Sequence, residues 1–234
     1  MSTFSKSAAK LPTANPQRKS EWTRTLNSYY QQNLKPTPSP GSVQMAEIIE
    51  WLSRRLPDNA ILTNGAGNYA VWLQRFYQFR QYRTQLGPTN GSMGYGVPAA
   101  VAAKLTLPDR VVVSFSGDGC FLMNGQEIAT AAQYGANVIF LVINNGMYGT
   151  IRMHQERNYP GRVSGTELHN PDFAALARAY GLHSEVVTNT VEFEPAFERC
   201  LDMPQPCLIE IRVDPEALTP RMSLTQIREQ SSKK

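Results

Sequence analysis

Apolar runs alternate with amphipathic segments along most of this chain, from about residue 43 onwards. Residues 110–116 (RVVVSFS) and 137–143 (NVIFLVI) are rich in β-branched and apolar side chains, as strands buried on both faces of a sheet are. Residues 43–55 carry Met, Ile and Leu at helical spacing. The same pattern predicts further helices at 68–79, 94–106, 121–134, 148–157, 171–180 and 191–201, and further strands at 60–63, 84–86, 183–187 and 207–213.

This order of elements predicts an α/β fold with a doubly wound, mostly parallel sheet flanked by helices. We expect residues 43–217 to form that domain. Residues 1–20 are polar and are expected to be a disordered tail. Residues 21–42 are expected to form a linker helix and a Pro-rich connector (KPTPSPGS), with Ser42 as the cap of the next helix. The polar residues 218–234 are expected to be a C-terminal tail that leaves the domain.

Polar residues follow the two longest predicted strands at the points where those strands end. Gly117-Asp118-Gly119 follows the first strand and Asn144-Asn145 follows the second. Because a right-handed crossover makes the two strands parallel, both ends lie at the same edge of the sheet. Asp118 and Asn145 are therefore expected to face each other across the crevice where open α/β sheets bind ligands.

The residue types at this edge suit a metal-bridged diphosphate. Asp118 offers an anionic oxygen, Asn145 an amide oxygen and Met147 a backbone carbonyl. Three such protein oxygens leave about three positions of an octahedral Mg²⁺ for phosphate oxygens and water. Gly117 and Gly119 allow the backbone to approach an anion closely, and the start of the helix that follows offers free N–H groups.

The combination of Gly117-Asp118-Gly119 with Asn144-Asn145 resembles the diphosphate motif of thiamine diphosphate enzymes. The resemblance is closest to the C-terminal (PP) domain of the acetolactate synthase-like group. The segment GSMGYGVPAA, which begins at Gly91, resembles the stretch that passes beneath the cofactor in that family. This resemblance implies that Met93 is the apolar wedge that bends the cofactor into a V, and that the Gly91 carbonyl accepts a hydrogen bond from the pyrimidine amino group.

Two further segments extend the resemblance. The loop TNGAGN at residues 63–68 stands where the family has a turn that contacts the diphosphate, which implies cofactor contacts from Gly67 and Asn68. The turn after Asn145 implies that Tyr148 and Gly149 also border the cofactor, with glycine at 149 because metal and phosphates crowd that position.

The chain departs from the synthase pattern at two points. The synthases usually have a Gln-His pair where this chain has Asn68-Tyr69. They also carry a tryptophan in the pocket after the Asn-Asn turn, where residues 150–154 of this chain read TIRMH.

The resemblance implies thiamine diphosphate and Mg²⁺ as cofactors, and a small 2-oxo acid as the substrate of decarboxylation and carboligation. In this family the glutamate that activates the cofactor belongs to a Pyr domain on the partner subunit, so no catalytic residue is assigned to this chain. We expect a Pyr domain as partner, in a homo- or hetero-oligomer. The chain by itself is expected to provide one half of the cofactor site and to bind the cofactor there without turnover.

Two other interpretations remain open. In one, the chain is the PP subunit of a two-chain 2-oxo acid decarboxylase. In the other, it is a non-catalytic module that keeps the fold for assembly. The basic N-terminal stretch resembles an interdomain linker and argues against the first, and the intact Asp118 and Asn145 argue against the second. A dinucleotide-binding Rossmann domain fits poorly, because no G-x-G-x-x-G follows the first strand with an acidic residue at the end of the second.

Composition and charge limit the classes of partner that the chain is expected to have. The net charge is +4, but residues 1–35 contain six Lys/Arg and one Glu, whereas the rest has 17 basic and 18 acidic residues. A nearly neutral domain indicates no nucleic-acid partner. Cys120, Cys200 and Cys207 have no metal-ligand spacing, which favours reduced thiols in the cytoplasm, with Cys120 a small side chain near the diphosphate. Neither a membrane span nor a signal peptide is expected.

Overall fold

The computed structural model describes residues 16–233. The chain divides after Lys35 into two compact units, and each is described by itself. The first contains helix α1 (Pro16–Asn33). Most of the predicted disorder at residues 1–20 lies outside the described residues. Residues 16–20 belong to α1, however, so the predicted tail is wrong for these five residues, and the helix begins before residue 21.

The second unit alternates helices and strands in the predicted order. Its strands are β1 (Ile61–Asn64), β2 (Gln85–Leu86), β3 (Val112–Gly117), β4 (Val138–Asn144), β5 (His183–Val187) and β6 (Cys207–Arg212). Its helices are α2 (Met45–Arg55), α3 (Tyr69–Phe76), α4 (Gly96–Thr106), α5 (Asp118–Asn124), α6 (Ile128–Gln133), α7 (Gly149–Asn158), α8 (Phe173–Ala179), α9 (Thr190–Asp202) and α10 (Leu224–Ser232).

The strands form one sheet in the order β2-β1-β3-β4-β6-β5, and every described pair is parallel. This arrangement confirms the predicted fold class. The chain leaves β1 for β2 on one side and returns to β3 on the other, which opens a crevice outside the carboxyl ends of these strands. Because Gly117 at the end of β3 pairs with Ile143 in β4, Asp118 and Asn145 emerge at the same edge.

Two apolar clusters cover the two faces of the sheet, and side chains alternate between them along each strand. In β3, Val113 and Phe115 belong to the first cluster and Val112 to the second. In β4, Leu141 belongs to the first and Phe140 to the second. A strand buried on both faces explains the continuous apolar runs in the sequence.

The single helix predicted at 121–134 is wrong in two respects. Helix α5 begins at Asp118, directly after the strand, and a 3₁₀ turn (Gly125–Glu127) separates it from α6. A Cβ atom at Gly125 would lie only 2.6 Å from the Phe121 ring. Glycine lets the chain pass close to this ring, and the helix breaks at that point.

The predicted cap at Ser42 is also wrong. Gln44 takes the N-cap position of α2, and its N–H donates to the Thr190 hydroxyl at 2.8 Å. The Gln44 side chain donates to the carbonyls of Ser39 and Gly41. These bonds tie the end of the Pro-rich connector to the second unit, so the domain begins earlier than residue 43.

The C-terminal residues do not form the predicted tail. Helix α10 begins at Leu224, which is buried together with Leu218 and Ile227 against Met153 of α7. Ser223 and Gln226 form a capping box at its start. These apolar contacts, together with the ion pair between Arg228 and Glu156, hold the short amphipathic helix on the domain.

A buried ion cluster joins α7 to α10. Glu156 is 1% exposed and accepts hydrogen bonds from Arg152 in its own helix and from Arg228 in α10, at 2.7 to 3.0 Å. The Gly161 N–H donates to the same carboxylate. The bond from Arg228 lowers the pKa of Glu156 to about 2, against the opposing effect of burial.

Within residues 16–233, no helix is both long and apolar enough to span a membrane.

We predict that Glu156→Gln destabilises the domain by about 3 kcal/mol at pH 7, because it leaves Arg152 buried without its counter-charge. The folded-state pKa of Glu156 is lower than its unfolded value of about 4.3. The carboxylate therefore stabilises the protein above that value, and this contribution is lost as the pH falls towards 2. Urea unfolding between pH 7 and pH 3 measures both effects.

Glu198→Gln is the matched control, because Glu198 pairs with Arg55 on the surface. This change is expected to cost less than about 1 kcal/mol. Equal losses in the two variants would contradict a special contribution from the buried cluster.

Candidate cofactor site

A cleft of about 240 Å³ opens where the loops after β1, β3 and β4 meet. Every site residue predicted from the sequence lines it: Gly67, Asn68, Gly91, Met93, Gly117, Asp118, Gly119, Cys120, Asn145, Met147, Tyr148 and Gly149. Four separate chain segments therefore come together at one edge of the sheet. The functions assigned to these residues from the sequence stay predictions.

Asp118 lies at the base of the cleft with its carboxylate almost fully buried. One carboxylate oxygen accepts a hydrogen bond from the Gly119 N–H, and the other accepts bonds from the Gly146 N–H and the Asn170 amide, each at 2.8 Å. Burial raises the pKa of Asp118, and these hydrogen bonds act in the opposite direction. The carboxylate is thus held in one orientation by donors from three parts of the chain.

The turn after β4 is fixed by the segment that precedes α8. Met147 forms an antiparallel bridge with Glu167. The Tyr148 N–H donates to the Thr166 carbonyl, and the Leu168 N–H donates to the Gly146 carbonyl. The side-chain oxygen of Asn145 accepts from the Met147 N–H at 3.3 Å. The backbone of residues 166–168 therefore holds the turn that carries the predicted metal ligands.

Asn170 is a residue of the site that the sequence analysis missed. Its amide group donates to Asp118 and to the side-chain oxygen of Asn144, both at 2.8 Å. Asn144 in turn donates to Glu210, which is buried and also binds Arg212. The one signal in the sequence was an Asn-Pro-Asp run before a predicted helix, which is equally typical of an ordinary loop.

The sulfur of Cys120, which also lines the cleft, accepts hydrogen bonds from two other segments. The Tyr69 hydroxyl donates to it at 3.1 Å and the Gly94 N–H at 3.2 Å. The aromatic ring of Tyr69 occupies the space beside Gly67 and Gly117, where an added Cβ would lie 2.7 Å from the ring. Burial raises the pKa of the Tyr69 hydroxyl, which stays a neutral donor. Tyr69 therefore joins the loop after β1 to the start of α5, and Cys120 extends this contact to Gly94.

Met93 stands between two glycines with left-handed backbone conformations, Gly91 at φ 72° and Gly94 at φ 80°. A side chain is strained in this region of φ, so glycine is favoured at both positions. The resulting loop places Met93 at the edge of the cleft, partly buried against the first apolar cluster. This position is compatible with the predicted wedge beneath a bent cofactor.

The donors present fit Mg²⁺. Asp118, Asn145 and Met147 provide a carboxylate, an amide oxygen and a backbone carbonyl in the lining of one cleft, and all three are hard oxygen ligands. In residues 16–233, no group of three or more His, Cys, Asp or Glu side chains is placed to hold a metal ion. A metal at this edge therefore depends on Asp118 together with neutral oxygens.

Glutamate is absent from the lining of the cleft in the described part of the chain. Glu127 accepts a hydrogen bond from Thr130, and Glu156 is held by the two arginines of the ion cluster. Neither glutamate is among the residues that line the cleft.

Comparison with known proteins identifies the family. Residues 65–211 match the thiamine pyrophosphate enzyme family described as the C-terminal TPP binding domain. The chain belongs to this family. All the lining residues named above fall within the matched range, so the cleft lies in the part of the chain that defines the family.

Curated relatives include acetolactate synthase large subunits. The protein from Corynebacterium glutamicum is 38% identical over 177 residues, which cover 73% of this chain and 28% of that protein. The isozyme 1 large subunit of Escherichia coli K12 is 31% identical over 213 residues, or 88% of this chain and 37% of that protein. The chain therefore spans about a third of the length of these relatives.

A solved structure supports the same fold. The thiamine diphosphate-dependent 4-hydroxybenzoylformate decarboxylase of Rhodococcus jostii RHA1 superposes with a TM-score of 0.72 at 30% sequence identity. The match covers 77% of this chain and 34% of that chain. The fold is thus that of a thiamine diphosphate-binding domain.

We predict that Tyr69→Phe lowers stability by about 1 kcal/mol, because it removes a buried hydrogen bond to Cys120 without changing the ring. The melting temperature is expected to fall by about 2–4 °C. Tyr82→Phe serves as the control, because Tyr82 is exposed. Identical melting temperatures for wild type and Tyr69→Phe would show that this hydrogen bond does not stabilise the loops.

Proposed function

We propose that the chain binds the diphosphate of thiamine diphosphate through Mg²⁺, as the C-terminal portion of an acetolactate synthase-like enzyme. The observation that carries this proposal is the convergence of Asp118, Asn145, Met147 and Met93 on one cleft. Hard oxygen donors and a thioether line the same cleft. This arrangement suits a ligand with a charged diphosphate and apolar rings.

Each group in the cleft has a proposed contribution. Asp118, Asn145 and the Met147 carbonyl would hold Mg²⁺ at the diphosphate of the cofactor. Gly117 and Gly119 keep the backbone close to the phosphates, and Met93 supports the bend of the cofactor. When bound, thiamine diphosphate supplies the electron sink for cleavage and formation of C–C bonds. The chain itself orients the cofactor and excludes water from it.

The activating glutamate is proposed to come from a Pyr domain outside this chain, in a homo- or hetero-oligomer. Two observations support this. The chain spans 28% to 37% of the length of the two synthase relatives described above, and no glutamate of the described residues lines the cleft. The whole assembly would act on a small 2-oxo acid such as pyruvate, releasing CO₂ and joining the remaining fragment to a second carbonyl compound.

A second candidate function is that of the PP subunit of a two-chain 2-oxo acid decarboxylase. Because the structural match covers only 34% of the chain of the Rhodococcus decarboxylase, that similarity bears on the reaction and not on a division into two chains. The structural similarity to a decarboxylase favours decarboxylation. So do Thr150 and Ile151, which line the cleft in the region where the synthases usually carry a tryptophan. Product analysis with a Pyr-domain partner distinguishes the two functions: acetolactate from pyruvate supports the first, and free aldehyde the second. Cofactor binding without turnover would instead support the non-catalytic module.

A cytoplasmic location is part of the proposal. Cys120, Cys200 and Cys207 are free and buried, as cysteines of a protein in a reducing compartment usually are.

We predict that Asp118→Ala abolishes Mg²⁺-dependent binding of thiamine diphosphate, because the cleft then holds no anionic metal ligand. Calorimetric titration of thiamine diphosphate into the full chain, with and without MgCl₂, measures this. If the wild-type chain binds only when a Pyr-domain partner is added, the comparison is made in its presence. Wild-type affinity in Asp118→Ala would show that the metal assignment is wrong.

We predict that Met93→Ala leaves Mg²⁺-dependent anchoring of the diphosphate within about threefold of wild type but lowers turnover with a Pyr-domain partner by at least about tenfold, since orientation of bound groups contributes strongly to rate. Titration and steady-state assay separate the two effects. Met123→Ala is the control, because Met123 is exposed on α5 outside the cleft lining. Unchanged turnover in Met93→Ala would refute the wedge.

A further inference from the structure

A chain of polar side chains leads from the surface to Asp118. Arg212, half exposed, donates to the buried carboxylate of Glu210 at 3.0 Å. Glu210 accepts from Asn144 at 2.7 Å, and the other end of the Asn144 amide accepts from Asn170 at 2.8 Å. Asn170 completes the chain with its bond to Asp118. The residues come from β6, β4 and the segment before α8.

The direction of these hydrogen bonds fixes the amide of Asn170. Its nitrogen donates both to a carboxylate oxygen of Asp118 and to the side-chain oxygen of Asn144. Its own oxygen is buried and has no hydrogen-bond partner among the described residues. A flipped amide would set oxygen against two acceptors, so the nitrogen has to face Asp118.

Asn170 occupies one side of one carboxylate oxygen, and the Gly146 N–H occupies another position on the same oxygen. Together with the Gly119 N–H on the other oxygen, they determine which lone pairs of Asp118 stay available to a ligand in the cleft. Mg²⁺ requires near-ideal octahedral geometry, so the orientation of its one carboxylate ligand matters more than it would for Ca²⁺.

We propose that Asn170, oriented by Asn144 and Glu210, is a positioning residue that aims Asp118 at Mg²⁺. This inference rests on the proposed function of the cleft. Asn170 does not bind the metal in this proposal. It acts through Asp118, as groups behind metal ligands commonly do.

The test compares Asn170→Ala with Asn137→Ala in the full chain. Asn137 is a partly buried asparagine at the opposite end of β4, outside the cleft. Retention of thiamine diphosphate in equilibrium dialysis is measured at increasing MgCl₂ and, separately, at increasing CaCl₂. A Pyr-domain partner is added where wild type needs it.

We expect Asn170→Ala to raise the half-saturating Mg²⁺ concentration about 10- to 100-fold. The Ca²⁺ value should change much less, because Ca²⁺ accepts irregular geometry. Asn137→Ala should match wild type for both ions. A merely structural contribution of Asn170 would weaken binding with both ions alike, and that result, or an unchanged Mg²⁺ value, would overturn the proposal.

Asn170→Asp is a second variant for the case that Asn170→Ala does not fold. It keeps the size of the side chain and replaces the hydrogen-bond donor by an acceptor. It is expected to weaken Mg²⁺-dependent binding as well. Tighter Mg²⁺ binding in this variant would overturn the proposal, because position 170 would then reach the metal directly. Failure of the wild-type chain to bind in every condition would refute the function of the cleft itself. If Asp118→Ala loses Mg²⁺-dependent binding of thiamine diphosphate and Asn170→Ala does not, only the positioning function of Asn170 is refuted.

Discussion

The buried carboxylate of Asp118 is the group on which the arrangement of the cleft depends. Removing a charged oxygen from water is unfavourable, and burial accordingly raises the pKa of Asp118. Donors from Gly119, Gly146 and Asn170 offset this effect at 2.8 Å each. Because they belong to the start of α5, the turn after β4 and the segment before α8, the charge holds three parts of the chain together.

Two kinds of contact hold the lining of the cleft. Charge and hydrogen bonds hold Asp118, whereas two hydrogen bonds and close packing surround Cys120. There the ring of Tyr69 lies where side chains at Gly67 and Gly117 would otherwise stand. Glycines in these loops therefore serve the packing of the protein itself, in addition to any approach to phosphate.

The C-terminal helix links this edge of the sheet to the rest of the domain. The first turn of α7 lines the cleft, and Glu156 near its end binds Arg228 of α10. Helix α7, which borders the cleft, is thereby bound to α10. The chain covers about a third of the length of its curated synthase relatives.

The sequence by itself determined the fold class, the strand positions and the residues that line the cleft. Strands buried on both faces must be continuously apolar, and adjacent parallel strands end at one edge, so Asp118 and Asn145 were certain to meet once β3 and β4 paired. Only the tertiary structure decided that Asn170 supports Asp118 and that residues 224–232 dock as a helix. Asn170 lies 52 positions from Asp118, and the sequence of a mostly polar helix with two buried apolar side chains resembles that of a solvated tail. No local pattern marks such contacts, because folding alone brings their partners together.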